Sequence, residues 1–589
     1  MRAPNPLQPL KLRARLSAAH REMRVKQIAK LKLGALGLSV GLMLSSTTTC
    51  FADAGSYLAA RQAIIGRDYQ EQALYVTKAL ASDPRSAVLL ETLIAAKISL
   101  GDFDDLYGYA TILKDIEPQN QIAAMVLFTK YTKDSNWDSL LAALDAGEGV
   151  SSIVDGLTRA WCHVGKGEMR EALELFDEFS TLSEGFELFG PFNKALAMAM
   201  AGDYEGGLAL LETPGLPQTG GSIYAQALML SQLERNDEAR ALVADAFGPT
   251  TDLRIVSLLD QLDAGERVPF DMVTTAQEGI AEVFNSVADV VSGGLDDGYT
   301  LLFARAAQTL NPTRAHYALK VADLLDRMDH NDLAAQAYGT IDPSAPAYYM
   351  GELGRAEALR RDGKVDAELE VLRNLAKSHS AYPEAFKAMG DAMRRDEQYD
   401  GAIEAYSTAL SKMADASRAQ WPILFARGIA YERSDQWEKA EADFRAALVF
   451  EPGQPQVLNY MGYSFLEMNT NLDEAMDMIR AAVAARPNDG YITDSLAWGL
   501  YRLGDYESAV APMEKAVSLL PVDTILNDHL GDVYWAVGRE REARFQWNRA
   551  LSFGPDEKEA ARIRRKLQIG LDRVLIEEGL EPTREQVDD

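Results

Sequence analysis

Small and large apolar residues recur at fixed distances in the C-terminal part of the chain. Gly531 is followed in turn by an alanine, a large apolar residue, a second alanine and a proline, which are Ala543, Trp547, Ala550 and Pro555. Gly428 and Ala497 are followed at the same distances by the same residue types. Gly462 starts a further series that contains a one-residue insertion, and Gly390 starts a shorter one. The four complete series end at Pro452, Pro487, Pro521 and Pro555, so the repeat length is about 34 residues.

This spacing predicts a repeated pair of helices. A small residue lets the second helix approach the first closely, and the large residue fills the groove between them. The proline then ends the second helix, because it cannot donate a backbone hydrogen bond. Two short helices cannot bury their apolar faces alone, so neighbouring pairs must stack. We therefore expect an all-α fold.

The unit resembles a known repeat. A helix–turn–helix unit of about 34 residues with the pattern G…Y…A…F…A…P is similar to the tetratricopeptide repeat, or TPR. Five consecutive copies cover residues 383–555, and looser copies begin near residue 56, where GRDYQEQALYVTKALASDP ends at Pro84. The resemblance implies a right-handed superhelical solenoid of TPR-like helix pairs, in which the first helices line a concave groove.

The chain divides into six segments that differ in how closely they match the repeat pattern. They are a signal peptide (1–54), a divergent TPR-like arm (55–248), a degenerate repeat or hinge (249–274), middle TPR-like repeats (275–382), five well-formed repeats (383–555) and a capping helix with an acidic tail (556–589). The capping helix is expected to cover the last repeat, because the end of a solenoid needs a polar surface.

The N-terminal residues have the pattern of an export signal. Residues 33–46 are apolar, follow a lysine-rich stretch and are few for a membrane-spanning helix. Ala52 and Ala54 form a small-x-small cleavage pattern, so the mature protein is expected to begin near Gly55 in the periplasm. We interpret the residues before Met23 as an upstream start, since a signal that starts at Met23 has a normal length.

Two alternatives remain open for this segment. Cys50 would carry a lipid in an outer-membrane lipoprotein, although the three preceding residues are threonines where a lipobox has leucine and then small residues. An uncleaved N-terminal segment would instead anchor the protein. The sequence favours cleavage after Ala54.

Composition excludes some functions. The net charge is −29, so nucleic acid is not expected as a partner, because phosphate binding needs a basic surface. Cys50 and Cys162, the two cysteines, provide neither a disulfide framework nor a metal site.

The chain lacks a constellation typical of catalysis. Its six histidines are scattered and form no H-E-x-x-H pair, and there is no G-x-S-x-G motif. Cys162 and His163 are adjacent, so on a helix they point about 100° apart and form no dyad. We expect a non-enzymatic protein without cofactor or metal.

Function is expected on the face of the first helices that lines the groove. Positions −3, +1 and +4 from the small residue of each first helix share one stripe. In the last three repeats these positions hold Asn459, Tyr463, Leu466, Asp494, Trp498, Tyr501, Asp528, Asp532 and Trp535. The aromatic residues suit an interface with a protein or extended peptide, and the aspartates favour a basic segment in that partner. In the alternative interpretation, Trp498 and Trp535 pack between neighbouring repeats.

The region from Val457 to Arg539, together with the export signal, resembles TPR adaptors of the bacterial envelope. The resemblance extends to outer-membrane adaptors of a carboxyl-terminal processing protease. It implies a scaffold that links such a protease to cell-wall hydrolases. The alternative is a structural or assembly subunit of an envelope secretion or outer-membrane biogenesis complex. Membrane association is compatible with both functions and required by neither.

Overall fold

The structure is a computed structural model, and the part of the chain that it describes is helical. The described residues are 54–182, 188–248, 250, 252–292, 296–413 and 417–584. They form 31 α-helices and contain no β-strand, which confirms the predicted all-α fold. None of these helices is both long enough and apolar enough to cross a membrane. The predicted export signal, Cys50 and the alternative anchor lie outside the described residues.

Contacts divide the chain into two compact units, Met1–Val371 and Leu372–Asp589. The first unit holds both the predicted N-terminal arm and most of the predicted middle repeats. The structure therefore groups these two segments, which the sequence analysis separated.

The first unit contains eighteen consecutive helices and the beginning of a nineteenth. They are α1 (Ala54–Ile65), α2 (Tyr69–Leu80), α3 (Ala87–Leu100), α4 (Leu106–Ile116), α5 (Gln121–Lys133), α6 (Trp137–Asp145), α7 (Ser152–Gly165), α8 (Met169–Leu182), α9 (Phe189–Met200), α10 (Tyr204–Leu211), α11 (Gly220–Gln232), α12 (Asn236–Phe247), α13 (Leu253–Asp263), α14 (Ala276–Val291), α15 (Asp297–Leu310), α16 (Ala315–Arg327), α17 (Asn331–Tyr338), α18 (Tyr348–Arg361) and α19 (Val365–Ser378).

Short polar residues and glycine set the ends of these helices. The Asp68 carboxylate accepts a hydrogen bond from the N–H of Glu71 at 2.9 Å and caps α2. Gly101 ends α3 with a φ of 86°, a conformation that favours glycine. The resulting turns are short, so each helix packs against the next along the chain.

Helices α14 and α15 instead pack across earlier helices of the same unit. α14 contacts α5, α7 and α9, and α15 contacts α3 and α5. Gly279 permits the closest approach, since a Cβ there would lie 2.3 Å from a ring atom of Trp161. Arg305 is buried and donates a hydrogen bond from Nε to the carbonyl of Ser99 at 3.2 Å, at the C-terminal end of α3. Four first helices of the N-terminal arm, α3, α5, α7 and α9, are thus covered by the chain's own α14 and α15.

The predicted degenerate repeat or hinge contains α13 and a packed segment after it. The N–H of Val268 donates to the Ser231 hydroxyl at 2.9 Å, and the Gln232 amide donates to the Val268 carbonyl at 2.5 Å. These bonds fasten the segment to the end of α11.

The second unit contains the five predicted pairs and two further helices. They are α20 (Pro383–Arg395), α21 (Tyr399–Lys412), α22 (Trp421–Arg433), α23 (Trp437–Phe450), α24 (Pro455–Glu467), α25 (Leu472–Ala485), α26 (Gly490–Arg502), α27 (Tyr506–Leu519), α28 (Thr524–Ala536), α29 (Glu540–Ser552), α30 (Glu557–Ile569) and α31 (Leu571–Glu577).

Each small residue that defined the repeat meets the large residue expected opposite it. A Cβ added to Gly428 would lie 2.5 Å from Phe444, and one added to Gly531 would lie 2.4 Å from Trp547. Phe444 and Trp547 are fully buried. The predicted pairing of small and large residues is confirmed in these repeats.

Candidate functional site

We call the −3, +1 and +4 positions of α20, α22, α24, α26 and α28 the first-helix row. Because the repeats have nearly equal lengths, equivalent positions of successive first helices lie beside one another. The structure places the nine predicted residues in two groups. Those that are buried are Leu466, Asp494, Tyr501, Asp532 and Trp535, and those that are half-buried are Asn459, Tyr463, Trp498 and Asp528.

The acidic end of the row is neutralised by a lysine of the same chain. Lys566 of α30 is fully buried, and its Nζ lies 2.8 Å from Asp528 Oδ2 and 2.7 Å from both carboxylate oxygens of Asp532. Asp532 Oδ1 also accepts from the indole N–H of Trp547 at 2.9 Å. Asp528 and Asp532 are therefore paired within the chain, where the sequence analysis left them unpaired, and their role in binding a partner stays a prediction.

The sequence analysis missed Lys566 because it read α30 only as a cap. One further repeat length from Asp532 reaches Lys566, and the same step from Asp528 reaches Arg562, whose guanidinium lies 3.8 Å from Asp532. α30 therefore occupies the place of a sixth first helix. Continuing the repeat count beyond Pro555 would have found these basic residues.

A second residue missed by the sequence analysis, His529, binds Asp494 and Trp498. Its Nδ1 lies 3.0 Å from Asp494 Oδ1, and its ring stacks on Trp498 with 3.9 Å between the ring centres. Burial lowers the pKa of His529, but the nearby aspartates outweigh burial and raise it above the usual value. Trp498 also stacks on Tyr501, with 4.7 Å between the ring centres. The ring of Trp498 is thus partly packed between neighbouring repeats.

Trp535 belongs to the core at the end of the second unit. Its indole N–H donates to Asp572 at 2.7 Å, and its ring lies 5.5 Å from that of Trp547. The guanidinium of Arg584 lies 4.7 Å from the ring centre. This packing corrects the interpretation of Trp535 as an open groove residue, because both ring and N–H are occupied by the chain itself.

The open part of the row lies further toward the N-terminus. Asn459 and Tyr463 are half-buried on α24, and the side-chain oxygen of Asn459 is itself buried and makes no hydrogen bond to any residue that the structure describes. Burial, with Glu467 and Asp494 nearby, raises the pKa of Tyr463, so its hydroxyl is a neutral donor at ordinary pH. Together with the half-buried Trp498 these side chains offer aromatic surface and an amide, the chemistry of peptide recognition.

Little in the described residues suggests a reactive centre. They include no cluster of three or more potential metal ligands. Cys162 is buried, and burial raises the pKa of its thiol to about 12, so it is protonated and unreactive near neutral pH.

Comparison with known proteins gives a partial match. No protein-family model matches the chain. Over 222 residues it is 25% identical to a TPR repeat-containing protein of Pseudomonas aeruginosa, an alignment that covers 37% of this chain and 36% of that protein. The chain therefore matches about a third of the length of this curated relative.

Solved structures match the chain at low sequence identity and low TM-score. A chain in the crystal structure of the APC/C hetero-tetramer Cut9–Hcn1 is 12% identical, with 89% of this chain and 97% of that chain covered and a TM-score of 0.36. A TPR protein from Parabacteroides merdae is 17% identical, with 44% and 98% covered and a TM-score of 0.37. The assignment of TPR-like pairs rests on the repeat spacing and packing within this chain.

Proposed function

We propose that this protein is a non-enzymatic scaffold that binds an extended segment of a protein partner along the open part of the first-helix row. The proposal depends on one observation. Tyr463 and Trp498 stay half-buried at equivalent positions, with Asn459 one helical turn before Tyr463, while the chain itself covers four first helices of the N-terminal arm and the acidic end of the row.

The pairing of Asp528 and Asp532 with Lys566 changes the expected chemistry of the partner. A basic segment was expected because three aspartates lie on the row, but two of them are neutralised and Asp494 bonds to His529. We therefore propose a segment that offers apolar side chains to Tyr463 and Trp498. Basic residues in it would contribute less than the sequence suggested.

The place and partners of this scaffold are proposed from the sequence. Residues 33–46 and the pattern around Ala54 support export to the periplasm. The resemblance of residues 457–539 to envelope adaptors supports a link between an envelope protease and cell-wall hydrolases. An assembly subunit of an envelope complex is the alternative.

A photo-crosslinking amino acid at Tyr463 tests the binding surface in cells. The matched control places it at Val449, which is 76% exposed on the second helix of a neighbouring pair. We expect products at position 463 that are absent at 449, and mass spectrometry identifies them. A protease with hydrolases supports the adaptor, and envelope assembly proteins support the alternative. Equal products at both positions contradict binding on the row.

N-terminal sequencing of the mature protein tests the proposed export. A start near Gly55 in the periplasmic fraction supports cleavage. A modified Cys50 would show a lipoprotein, and an intact Met1 or Met23 would show a retained anchor.

A further inference from the structure

A recess lies at the edge of the second unit, outside the first-helix row. It has a volume of about 480 Å³, and its lining includes Arg486, Pro487, Asp489, Gly490, Tyr491 and Leu520. This volume falls within the range of about 300–1,000 Å³ that is usual for ligand pockets. The recess is formed where the loop before α26 meets the end of α27.

One exposed apolar side chain lines this recess, and two others follow its lining residue Leu520 along the chain. Tyr491 is 58% exposed, Val522 is 71% exposed and Ile525 is 48% exposed. The Tyr491 hydroxyl donates to Asp523 at 3.0 Å, which holds the Tyr491 ring beside the turn that carries Val522.

The walls of the recess are held by hydrogen bonds of the folded chain. Asp489 accepts from the N–H of Tyr491 at 3.1 Å and caps α26. Arg549 donates to the carbonyl of Pro521 at 2.9 Å and fixes the turn on the other side. Gly490 lets Leu520 form the floor, since a Cβ there would lie 2.7 Å from that side chain. A site that is already ordered costs less entropy to occupy.

The rim of the recess carries a cation. Arg486 Nη1 lies 4.0 Å from Asp489 Oδ2, at the limit of an ion pair, and the Arg486 side chain is 44% exposed. The other oxygen of Asp489 already caps α26. The Arg486 guanidinium therefore has donors for a second carboxylate, with which arginine forms strong paired hydrogen bonds.

We propose that this recess binds a partner segment in which a large apolar or aromatic residue is followed by an acidic residue. The apolar side chain packs between Tyr491 and Leu520, and the carboxylate pairs with Arg486. This site differs from the first-helix row in position and in the charge that it prefers.

Fluorescein-labelled peptides test the proposal on the full-length protein. Acetyl-Ser-Phe-Glu-Ser-amide is compared by fluorescence anisotropy with peptides in which Phe becomes Ala or Glu becomes Gln. We expect the Phe-Glu peptide to bind most tightly. Arg486→Gln should weaken it about tenfold, since a charge-assisted pair is lost. Tyr491→Ala should weaken the Phe-Glu and Phe-Gln peptides alike.

Two control variants separate this site from others. Arg480→Gln removes another arginine of the same helix pair, which is 57% exposed and lies 3.4 Å from Asp477, and it should leave the affinity unchanged. Tyr463→Ala measures any binding of the peptide to the first-helix row, and it should weaken the Phe-Glu peptide less than Tyr491→Ala does. Equal affinity for the three peptides, or equal losses from Arg480→Gln and Arg486→Gln in protein with an unchanged melting curve, would overturn the proposal.

Discussion

At the scale of single residues, the end of the second unit depends on a buried lysine. Lys566 reaches two carboxylates, Asp528 and Asp532, and none of its side chain is exposed. Removing one partner from a buried ion pair leaves a charge in a medium that solvates it poorly, which costs about 3–5 kcal/mol.

Lys566→Met should therefore destabilise the second unit by about 3–5 kcal/mol. The measurement is the free energy of unfolding in urea, followed by tryptophan fluorescence. Lys558→Met, at an exposed position of the same helix, is the control and should cost little. Adding Asp528→Asn and Asp532→Asn to Lys566→Met should recover part of the loss. If Lys566→Met and Lys558→Met unfold alike, the buried ion pair contributes no stability.

His529 makes stability depend on pH. Asp494 and the neighbouring aspartates outweigh burial and raise its folded-state pKa above 6.5. When the folded-state pKa of a histidine lies above its unfolded-state pKa, the protonated ring stabilises the fold. This contribution is complete at pH values below the unfolded-state pKa and is lost as the pH rises through the folded-state pKa. We therefore compare the melting temperatures of the wild type and His529→Gln as the pH rises from about 6.5 to the folded-state pKa. The melting temperature of the wild type should fall by more than that of the variant. Parallel pH curves for the two proteins would contradict this.

The residue types on the row could be predicted from the sequence, but their surroundings could not. Asp532, Trp535 and Tyr501 were found by counting steps from a small residue. That count gives the direction of a side chain on its own helix. It does not show which residues of the next helix contact that side chain. Lys566 pairs with Asp532 and Asp572 accepts from Trp535, and both partners lie on helices that the count had not reached.

At the scale of helices, the repeat spacing predicted contacts between neighbours and missed contacts between distant ones. The packing of Gly428 on Phe444 follows from the fixed distance between the small and the large residue of a repeat. The packing of Gly279 on Trp161 joins helices that lie far apart in the sequence, so no periodic pattern encodes it. α14 is buried around much of its circumference, including Ile280, Phe284 and even Asn285. Its sequence has the apolar and polar faces of a surface helix, so the pattern did not show this degree of burial.

Gly279→Ala should separate α14 from α7. The added methyl group would overlap the Trp161 ring, and overpacking of this kind costs about 1–3 kcal/mol. Gly108→Ala is the matched control: Gly108 lies within α4 and a Cβ there meets nothing within 4 Å. The control should stabilise by about 0.5–1 kcal/mol, since alanine favours helix. Urea unfolding measures both, and a Gly279→Ala variant as stable as the control would show that this contact is loose.

At the scale of the whole molecule, the two units differ in the contacts that stabilise each of them internally. Arg305 bonds to Ser99 and Tyr299 bonds to Gln121, at separations of 206 and 178 residues. In the second unit each pair contacts mainly its neighbours in sequence. The sequence analysis predicted contacts between neighbouring pairs only, because a repeat pattern describes neighbours alone.

These contacts predict how a local change spreads through each unit. Stability in a stack of repeats is a sum of neighbour terms, whereas long-range contacts join distant helices into one cooperative unit. Gly279→Ala should therefore speed amide hydrogen exchange in α3, α5, α7, α14 and α15 together, although α3 lies far from the substitution in sequence. Lys566→Met should speed exchange in α28, α29 and α30 and leave α20 and α21 unchanged. Hydrogen-exchange mass spectrometry of the full chain measures both variants against the wild type. If Gly279→Ala affects α7 and α14 alone, the first unit behaves as an additive stack like the second, and its long-range contacts add no cooperativity.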